Sequence, residues 1–440
     1  MLLPSVAHSF FFPVRGISCI AAEESFYHFT SSMQLLKPLL LACMPVCHLA
    51  VSAAIFSVAL HCSDQSNRRY LLPLFIISSV LSFTSSKYLW FVPGLTSLWS
   101  QAVLLYILHV ISLLCIEKWP APRSSARPST QPDTAPKQEW HLDLRITYRL
   151  WGNPRLLWAS SAPDARSPAG TQSYSVFIFL RLVKLPILYY LNFHVIPSLF
   201  SETIGVILPK DVSPTQQVLL RRFQDVTVRE AVIRGYTAMF WIWESVVYLD
   251  GANSILACFF VLTGLDTPND WPALFGSPTS ASSLRNFWSQ FWHKLALRPY
   301  TNHGKLLASH LALQPGSSAF NSIVALVVFG LSGATHAAVS WQLGQPDWHL
   351  DMGWFLLNFL GCSVEVMWLS TIRASAKKMG WSQELKMIED SWFGKLVGFA
   401  WVFGFFFWSV PKWKYPAMHK EALDTAMWMS LLSKMNIVRG

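Results

Sequence analysis

Charge is scarce in this chain. Asp, Glu, Lys and Arg make up 13% of its 440 residues, against 52% hydrophobic and 14% aromatic. Ordinary soluble domains carry roughly a quarter charged residues, so a soluble multidomain protein is excluded, and a disordered chain with it. Ordered cysteine patterns are also missing. The seven cysteines show neither CxxC nor Cys/His ligand spacing, which excludes a disulfide-stapled scaffold and a zinc module and reads them as buried thiols. HExxH, GxSxG, and HxxxD followed by DFGWG are absent and the 13 histidines are dispersed. Zinc hydrolases, serine hydrolases and soluble acyltransferases are thereby set aside, and no metal is expected. No solenoid or propeller repeat occurs, and no nucleic-acid motif is present, so the net charge of +10 reads as basic cytosolic loops facing anionic headgroups.

What is abundant is uncharged length. No Asp, Glu, Lys or Arg occurs at 38–63, 70–86, 88–116, 306–346 or 396–411. A charge at mid-bilayer costs about 2.5–3.5 kcal/mol even on the lenient insertion scale, and about 20 residues cross a bilayer. These intervals therefore predict spans. Three more apolar stretches hold isolated charges: 174–199 with Arg181 and Lys184, 236–263 with Glu244 and Asp250, and 352–372 with Glu365. The two basic residues are expected to snorkel from one end of their span, and Asp250, followed by Gly251, to mark the end of another. The fold expected is an all-α polytopic integral membrane bundle of about eight spans, a mean hydropathy of +0.34 and 21 tryptophans agreeing with it.

Four regions are expected: an N-terminal tail at 1–32, N-terminal transmembrane helices at 33–116, a flexible Pro/Ser/Arg-rich loop at 117–173, and a long helical region at 174–440. Residues 117–173 carry eight basic and five acidic side chains, an excess that favours the cytosol. Single crossings place 64–69, 264–305 and 373–395 on the same side. The opposite side then receives 200–235 with Lys210, Arg221, Arg222, Arg229 and Arg234, an inconsistency that a re-entrant segment would remove.

Two segments carry candidate chemistry. In Ser282–Leu297, the side chains Leu284, Phe287, Trp288, Phe291 and Trp292 recur at i, i+3, i+4, i+7 and i+8, one face of a helix capped by Ser282 or Ser283. Such a helix is expected in the membrane surface, with Arg285, His293 and Lys294 off the stripe. In Phe329–His336, FGLSGATH, the residues Phe329, Ser332, Gly333 and His336 share one face within an uncharged interval. A histidine within a span is a functional candidate because its ring needs a partner where water is absent. Ser332 lies one turn away and can orient that ring, and Gly333 leaves room for close approach.

The order Trp271, Pro272, Leu274, Phe275, Gly276, then Ser283, Leu284, Arg285, Phe287, Trp288, Trp292, His293, then Phe329, Ser332, Gly333, His336 resembles the wax synthase branch of the membrane-bound O-acyltransferase family over about 265–340. The run Arg149 to Arg155, RLWGNPR, is similar to fungal wax-synthase-like acetyltransferases of secondary metabolism, although Leu156, Leu157 and Trp158 stand where those continue with glycines. The resemblance implies a membrane enzyme, expected in the endoplasmic reticulum, that transfers an acetyl group from acetyl-CoA to a hydroxyl of a lipophilic alcohol inside a reaction chamber. It implies His336 as the catalytic histidine and His293 as its second polar position, with Trp288, Trp292, Ser332 and Gly333 orienting substrate. Neutral imidazole suits removal of a hydroxyl proton near pH 7, and Arg285, Lys294 and Arg298 suit the phosphates of an acyl-CoA.

Three other readings stay open. A wax synthase would use long-chain acyl-CoA and a fatty alcohol. A membrane terpene cyclase would use Glu244, Asp250 or Glu365 as its acid, and a transporter would need no chemistry at all.

Overall fold

A computed structural model describes residues 31–62, 65–92, 94–119, 143–156 and 173–439. Residues 1–30 of the expected tail, and 120–142 and 157–172 of the expected loop, lie outside the described residues. Among the described residues there is no strand. The helices are α1 (Ser31–His61), α2 (Gln65–Ser85), α3 (Leu95–Ile111), α4 (Leu144–Gly152), α5 (Tyr174–Tyr190), α6 (Ile196–Ile204), α7 (Val228–Leu262), α8 (Leu284–Asn286), α9 (Leu297–His310), α10 (Ser318–Gln342), α11 (His349–Met379), α12 (Ser382–Asp390) and α13 (Trp392–Arg439). Among the described residues eight helical segments are long and apolar enough to cross a membrane: 40–61, 67–89, 95–116, 174–204, 228–262, 318–342, 349–379 and 392–431. Each falls on one of the eight apolar stretches read from the sequence, and the chain is an all-α multi-pass membrane protein. Within 306–346 the span begins only at Ser318, because residues to His310 belong to α9.

The chain folds as two compact units. The first joins the described part of 1–161 to 295–348. Its α1 and α2 meet through small hydroxyl side chains: Ser52 and Ser78 lie 2.9 Å apart, Ser79 donates to Ser52 at 3.1 Å, and Ser82 donates to the Pro45 carbonyl at 2.7 Å. Small residues let two backbones approach, and their hydroxyls satisfy one another where water is absent. Helix α4 closes on this pair, with Leu150 buried among Phe56, Leu60, Phe75 and Leu113 and Trp151 stacked on Tyr106 at 4.8 Å. Asp143 caps α4 by accepting from the Arg145 and Ile146 N–H groups. The part of 117–173 at 143–156 is therefore a packed helix and turn, and the RLWGNPR run begins inside it.

The second unit joins 162–294 to 349–440. Neither Lys184 nor Arg181 snorkels. Lys184 Nζ lies 2.6 Å from Asp250 Oδ2, and Arg181, itself buried, lies 4.0 Å from Asp250 Oδ1. Asp250 sits inside α7, not at its end, because two cations of α5 hold it there. An ion pair in a low-dielectric interior persists only when both charges are matched.

Three of the basic residues of 200–235 are also matched. Arg229 bonds Asp211 at 2.7 Å, Arg234 bonds Glu230 at 3.0 Å, and Arg222 reaches Glu230 at 3.4 Å. Burial pushes the Asp211 carboxyl up, but the hydrogen bonds from Arg229 and the Leu208 N–H, with the charges of Arg229 and Lys210, hold it below the usual range. These arginines brace a set of short turns over 209–225, so much of the positive charge that objected to the expected topology has a local structural partner.

The thiols differ from expectation as well. Of the six described cysteines only Cys258 is buried, while Cys43, Cys47 and Cys115 are exposed on spanning helices. A thiol is apolar enough to face hydrocarbon, so its presence in an apolar run does not decide between core and lipid.

Candidate active site

His336 belongs to the first unit. The uncharged run 318–342 forms α10, opened by Ser317, whose hydroxyl accepts the Phe320 N–H at 3.1 Å. Helix α9 packs on it where Gly304 faces Val324, and a Cβ at Gly304 would come within 2.9 Å of the Val324 Cα. One side of α10 is tied down by polar contacts. Gln101 of α3 donates its side-chain amide to Thr335 at 2.9 Å, Thr335 donates to the Ser332 carbonyl at 3.0 Å, and the Tyr300 hydroxyl lies 3.4 Å from the Thr335 hydroxyl. Burial, opposed by the bond to Thr335, pushes the Tyr300 phenol up to about 12, so it stays protonated at neutral pH.

Gly333, Thr335 and Ala337 are buried, whereas His336 is exposed. The imidazole is thus carried on a face of the span that packing around Thr335 leaves accessible. Ser332, expected to orient that ring, donates its hydroxyl proton to the Val328 carbonyl at 2.8 Å, the back-bond a helical serine makes to its own preceding turn. Arg298 also belongs to this unit. Its guanidinium is paired with Glu117, which also accepts from Asn302 at 2.6 Å and Ser112 at 2.8 Å. Burial lowers the Arg298 pKa more than Glu117 raises it, and the ion pair fastens α9 to the end of α3.

His293 belongs to the second unit, at the end of the aromatic segment. The helix expected over 282–297 is shorter than its pattern. Helical turns run from Leu284 through a π-helical turn at Phe287–Phe291 and stop at Trp292, which is extended (φ −64°, ψ 152°). Ser283 is the cap, accepting the Asn286 N–H at 3.0 Å. The aromatic stripe does not lie on a membrane surface. Trp241 of α7 has its ring centroid 5.0 Å from Trp292, 5.1 Å from Trp354 and 5.4 Å from Phe406, and Leu284, Phe287 and Phe291 are buried. Trp288 donates its indole N–H to Asn358 at 3.2 Å. The periodicity was that of a buried helix face, and a stripe covered by protein has the same spacing as one covered by lipid.

The chain entering this segment is fixed at both ends. Arg181 donates to the Trp271 carbonyl at 2.7 Å. Gly276 donates its N–H to the Phe291 carbonyl at 2.8 Å, so close that a Cβ there would fall 2.0 Å from the Gln290 carbonyl oxygen. That approach is why glycine stands in the motif. His293 itself is half-buried, with its ring 5.8 Å from Phe275 and 5.4 Å from Trp292. Arg285 is exposed and Lys294 half-buried, so these two basic side chains flank the His293 segment within one unit. Neighbouring aromatics of α7 also contact protein: Phe240 stacks on Tyr236 at 5.0 Å, and Trp243 donates to Asn192 at 3.1 Å.

Two carboxylates flagged by their isolation find different surroundings. Asp250 holds Lys184, as above, and Glu365 accepts the backbone N–H groups of Leu284 at 2.7 Å and Arg285 at 3.1 Å with the indole N–H of Trp401 at 2.8 Å. Asn358 and Glu365, both of α11, therefore hold the segment that ends in His293. No local pattern announces that role, because their partners lie 70 to 81 residues away. Among the described residues no group of three His, Cys, Asp or Glu side chains could hold a metal ion.

Residues 271–357, a stretch that contains both His293 and His336, match the Membrane bound O-acyl transferase family, which bears out the resemblance read from the sequence. Among curated proteins the chain is similar to acetyltransferase atnC of Arthrinium sp, 29% identical over 206 residues that cover 46% of each chain. Acetyltransferase ple2 of Rhodocybe pseudopiperita is 29% identical over 36% of this chain and 40% of its own. Acetyltransferase aurG of Calcarisporium arbuscula is 28% identical over 45% of this chain and 47% of its own. The chain thus spans less than half the length of each of these relatives. No solved structure matches it.

Proposed function

We propose that this chain is a membrane-bound O-acetyltransferase of the endoplasmic reticulum, moving an acetyl group from acetyl-CoA to a hydroxyl of a lipophilic secondary metabolite of the terpenoid, meroterpenoid or polyketide type. The observation that carries the reading is His336: an exposed imidazole on an apolar spanning helix whose neighbours Gly333 and Thr335 are buried, inside the segment that matches the family. Relatives named acetyltransferases support the short acyl chain.

In the proposed step the acceptor oxygen attacks the thioester carbonyl as its proton passes to His336, the carbon–sulfur bond breaks, and His336 returns that proton to the departing sulfur, so that coenzyme A leaves as the thiol and the imidazole is neutral again. A positioned base of this kind contributes on the order of 10²–10⁴ in rate. His293 is proposed to donate to the thioester oxygen as negative charge develops there. Arg285 and Lys294 are the basic groups proposed for the phosphates, and Trp288 and Trp292 flank the same segment. Arg298, expected with them, is assigned to its pair with Glu117. A lipophilic acceptor reaches such a site from the bilayer without crossing water, and the thioester reaches it from the aqueous side.

The test is a competition. Membranes holding the full chain receive acetyl-CoA and palmitoyl-CoA together with a polycyclic alcohol and hexadecanol. An acetylated polycycle supports the proposal, and preferential hexadecyl palmitate would make the chain a wax synthase. No release of coenzyme A from either donor would overturn acyl transfer altogether.

A further inference from the structure

We propose that Glu365 is a positioning residue for acyl transfer, acting through the helical turn that delivers His293; the proposal rests on the function proposed above. Glu365 is buried within the apolar span α11, and among the described residues no cation stands among the partners it binds. Its carboxylate is used instead by three N–H donors: Leu284 N at 2.7 Å, Arg285 N at 3.1 Å and Trp401 Nε1 at 2.8 Å.

The first N–H groups of a helix have no partner within it. Here the N–H groups of Leu284 and Arg285 go to the two oxygens of Glu365, and that of Asn286 goes to Ser283. The turn begins nine residues before His293, is too short to stand by itself, and ends in an extended Trp292. Its place is therefore set by what grips it. Glu365 grips the start, and Asn358, two turns earlier on α11, grips Trp288 at 3.2 Å.

Packing makes the grip specific. Gly361 lies between these two residues on α11, where a Cβ would fall 2.7 Å from the Phe405 ring and 3.2 Å from the Leu284 side chain. Helix α11 thus meets the turn at close range, and a carboxyl group with two acceptor oxygens fits the two unpartnered N–H groups of that turn. A glutamine in the same place keeps one acceptor oxygen and turns an N–H₂ toward a backbone N–H, where donor faces donor.

The test uses the full chain in membranes, with Glu365→Gln, Glu365→Ala and each combined with His293→Ala. The expected result is a kcat lowered about tenfold in Glu365→Gln and at least a hundredfold in Glu365→Ala, with KM for acetyl-CoA raised as well, because Arg285, proposed for its phosphates, sits on the same turn. Combined with His293→Ala, either change should add little further loss, because residues that act through one another are non-additive. Amide exchange in the detergent-solubilised chain should accelerate at 284–286 in Glu365→Gln while α7 and α13 keep their protection. Wild-type kcat in Glu365→Gln would overturn the proposal. So would losses that multiply with that of His293→Ala, or a fall in folded yield with unchanged kcat per folded molecule. A wild-type chain that transfers no acyl group would overturn the proposed function, whereas faster exchange at 284–286 would still support the grip of Glu365.

Discussion

Arg181 donates to the carbonyl of Trp271 at 2.7 Å, so a guanidinium inside the span 174–204 holds the first residue of the family-matched segment. Asp250 keeps that guanidinium and Lys184 in place. Removing one partner of a buried pair leaves a charge without compensation and costs about 3–5 kcal/mol. Asp250→Asn is therefore expected to lower the thermal midpoint and folded yield in detergent strongly, and Asp250→Asn with Lys184→Gln to recover part of that loss. Equal stability of the single and double variants would show that the Lys184 pair does not hold α5 to α7.

Gly276 and Gly251 form an informative contrast. A methyl at Gly276 meets the Gln290 carbonyl oxygen at 2.0 Å, whereas one at Gly251, inside α7, meets nothing within 4 Å. Gly276→Ala is expected to destabilise by about 1–3 kcal/mol, as overpacking does, and to reduce transfer by displacing the His293 segment. Gly251→Ala is expected to be neutral or to stabilise by about 0.5–1 kcal/mol, since alanine is the better helix former. Thermal midpoints of the two variants decide the matter, and similar midpoints would contradict it.

The spans were legible in the sequence because the cost of burying a charge in lipid acts residue by residue along the chain. Eight uncharged or nearly uncharged stretches became eight long helices. The motif residues from Trp271 to His336 were legible by resemblance. Their supports were not. The carboxylate of Glu365 stands out in α11, but nothing local reveals that it grips Leu284 and Arg285, 81 and 80 residues earlier. The stripe Leu284, Phe287, Trp288 and Phe291 identified a helix face without saying whether lipid or Trp241 covers it. Ser52, Ser78 and Ser82 look like isolated polar residues in apolar runs, and only packing of α1 on α2 makes them one hydrogen-bonded seam.

Acid lability is expected outside the spans. The folded-state pKa of Asp211 lies below its ordinary value of about 3.9, so its stabilising contribution is full above that value and is lost as pH falls through the lower, folded one. Arg229 is partly exposed, and solvent screening makes the effect modest. The midpoint difference between wild type and Asp211→Asn should therefore be constant from pH 7 to about 5 and should shrink below about 4. A difference that stays the same down to pH 3 would contradict the assigned role of the Arg229 pair.

The central claim, that His336 is the base, is tested most directly by His336→Ala in membranes, assayed as acceptor-dependent release of coenzyme A from acetyl-CoA and normalised to folded protein. The imidazole is exposed on α10 while Thr335 and Gly333 carry the packing, so the variant is expected at normal level with activity at most a hundredth of wild type, the lower bound of what a positioned base contributes being about 10². Retention of more than about a tenth of wild-type activity would contradict general base catalysis by this residue.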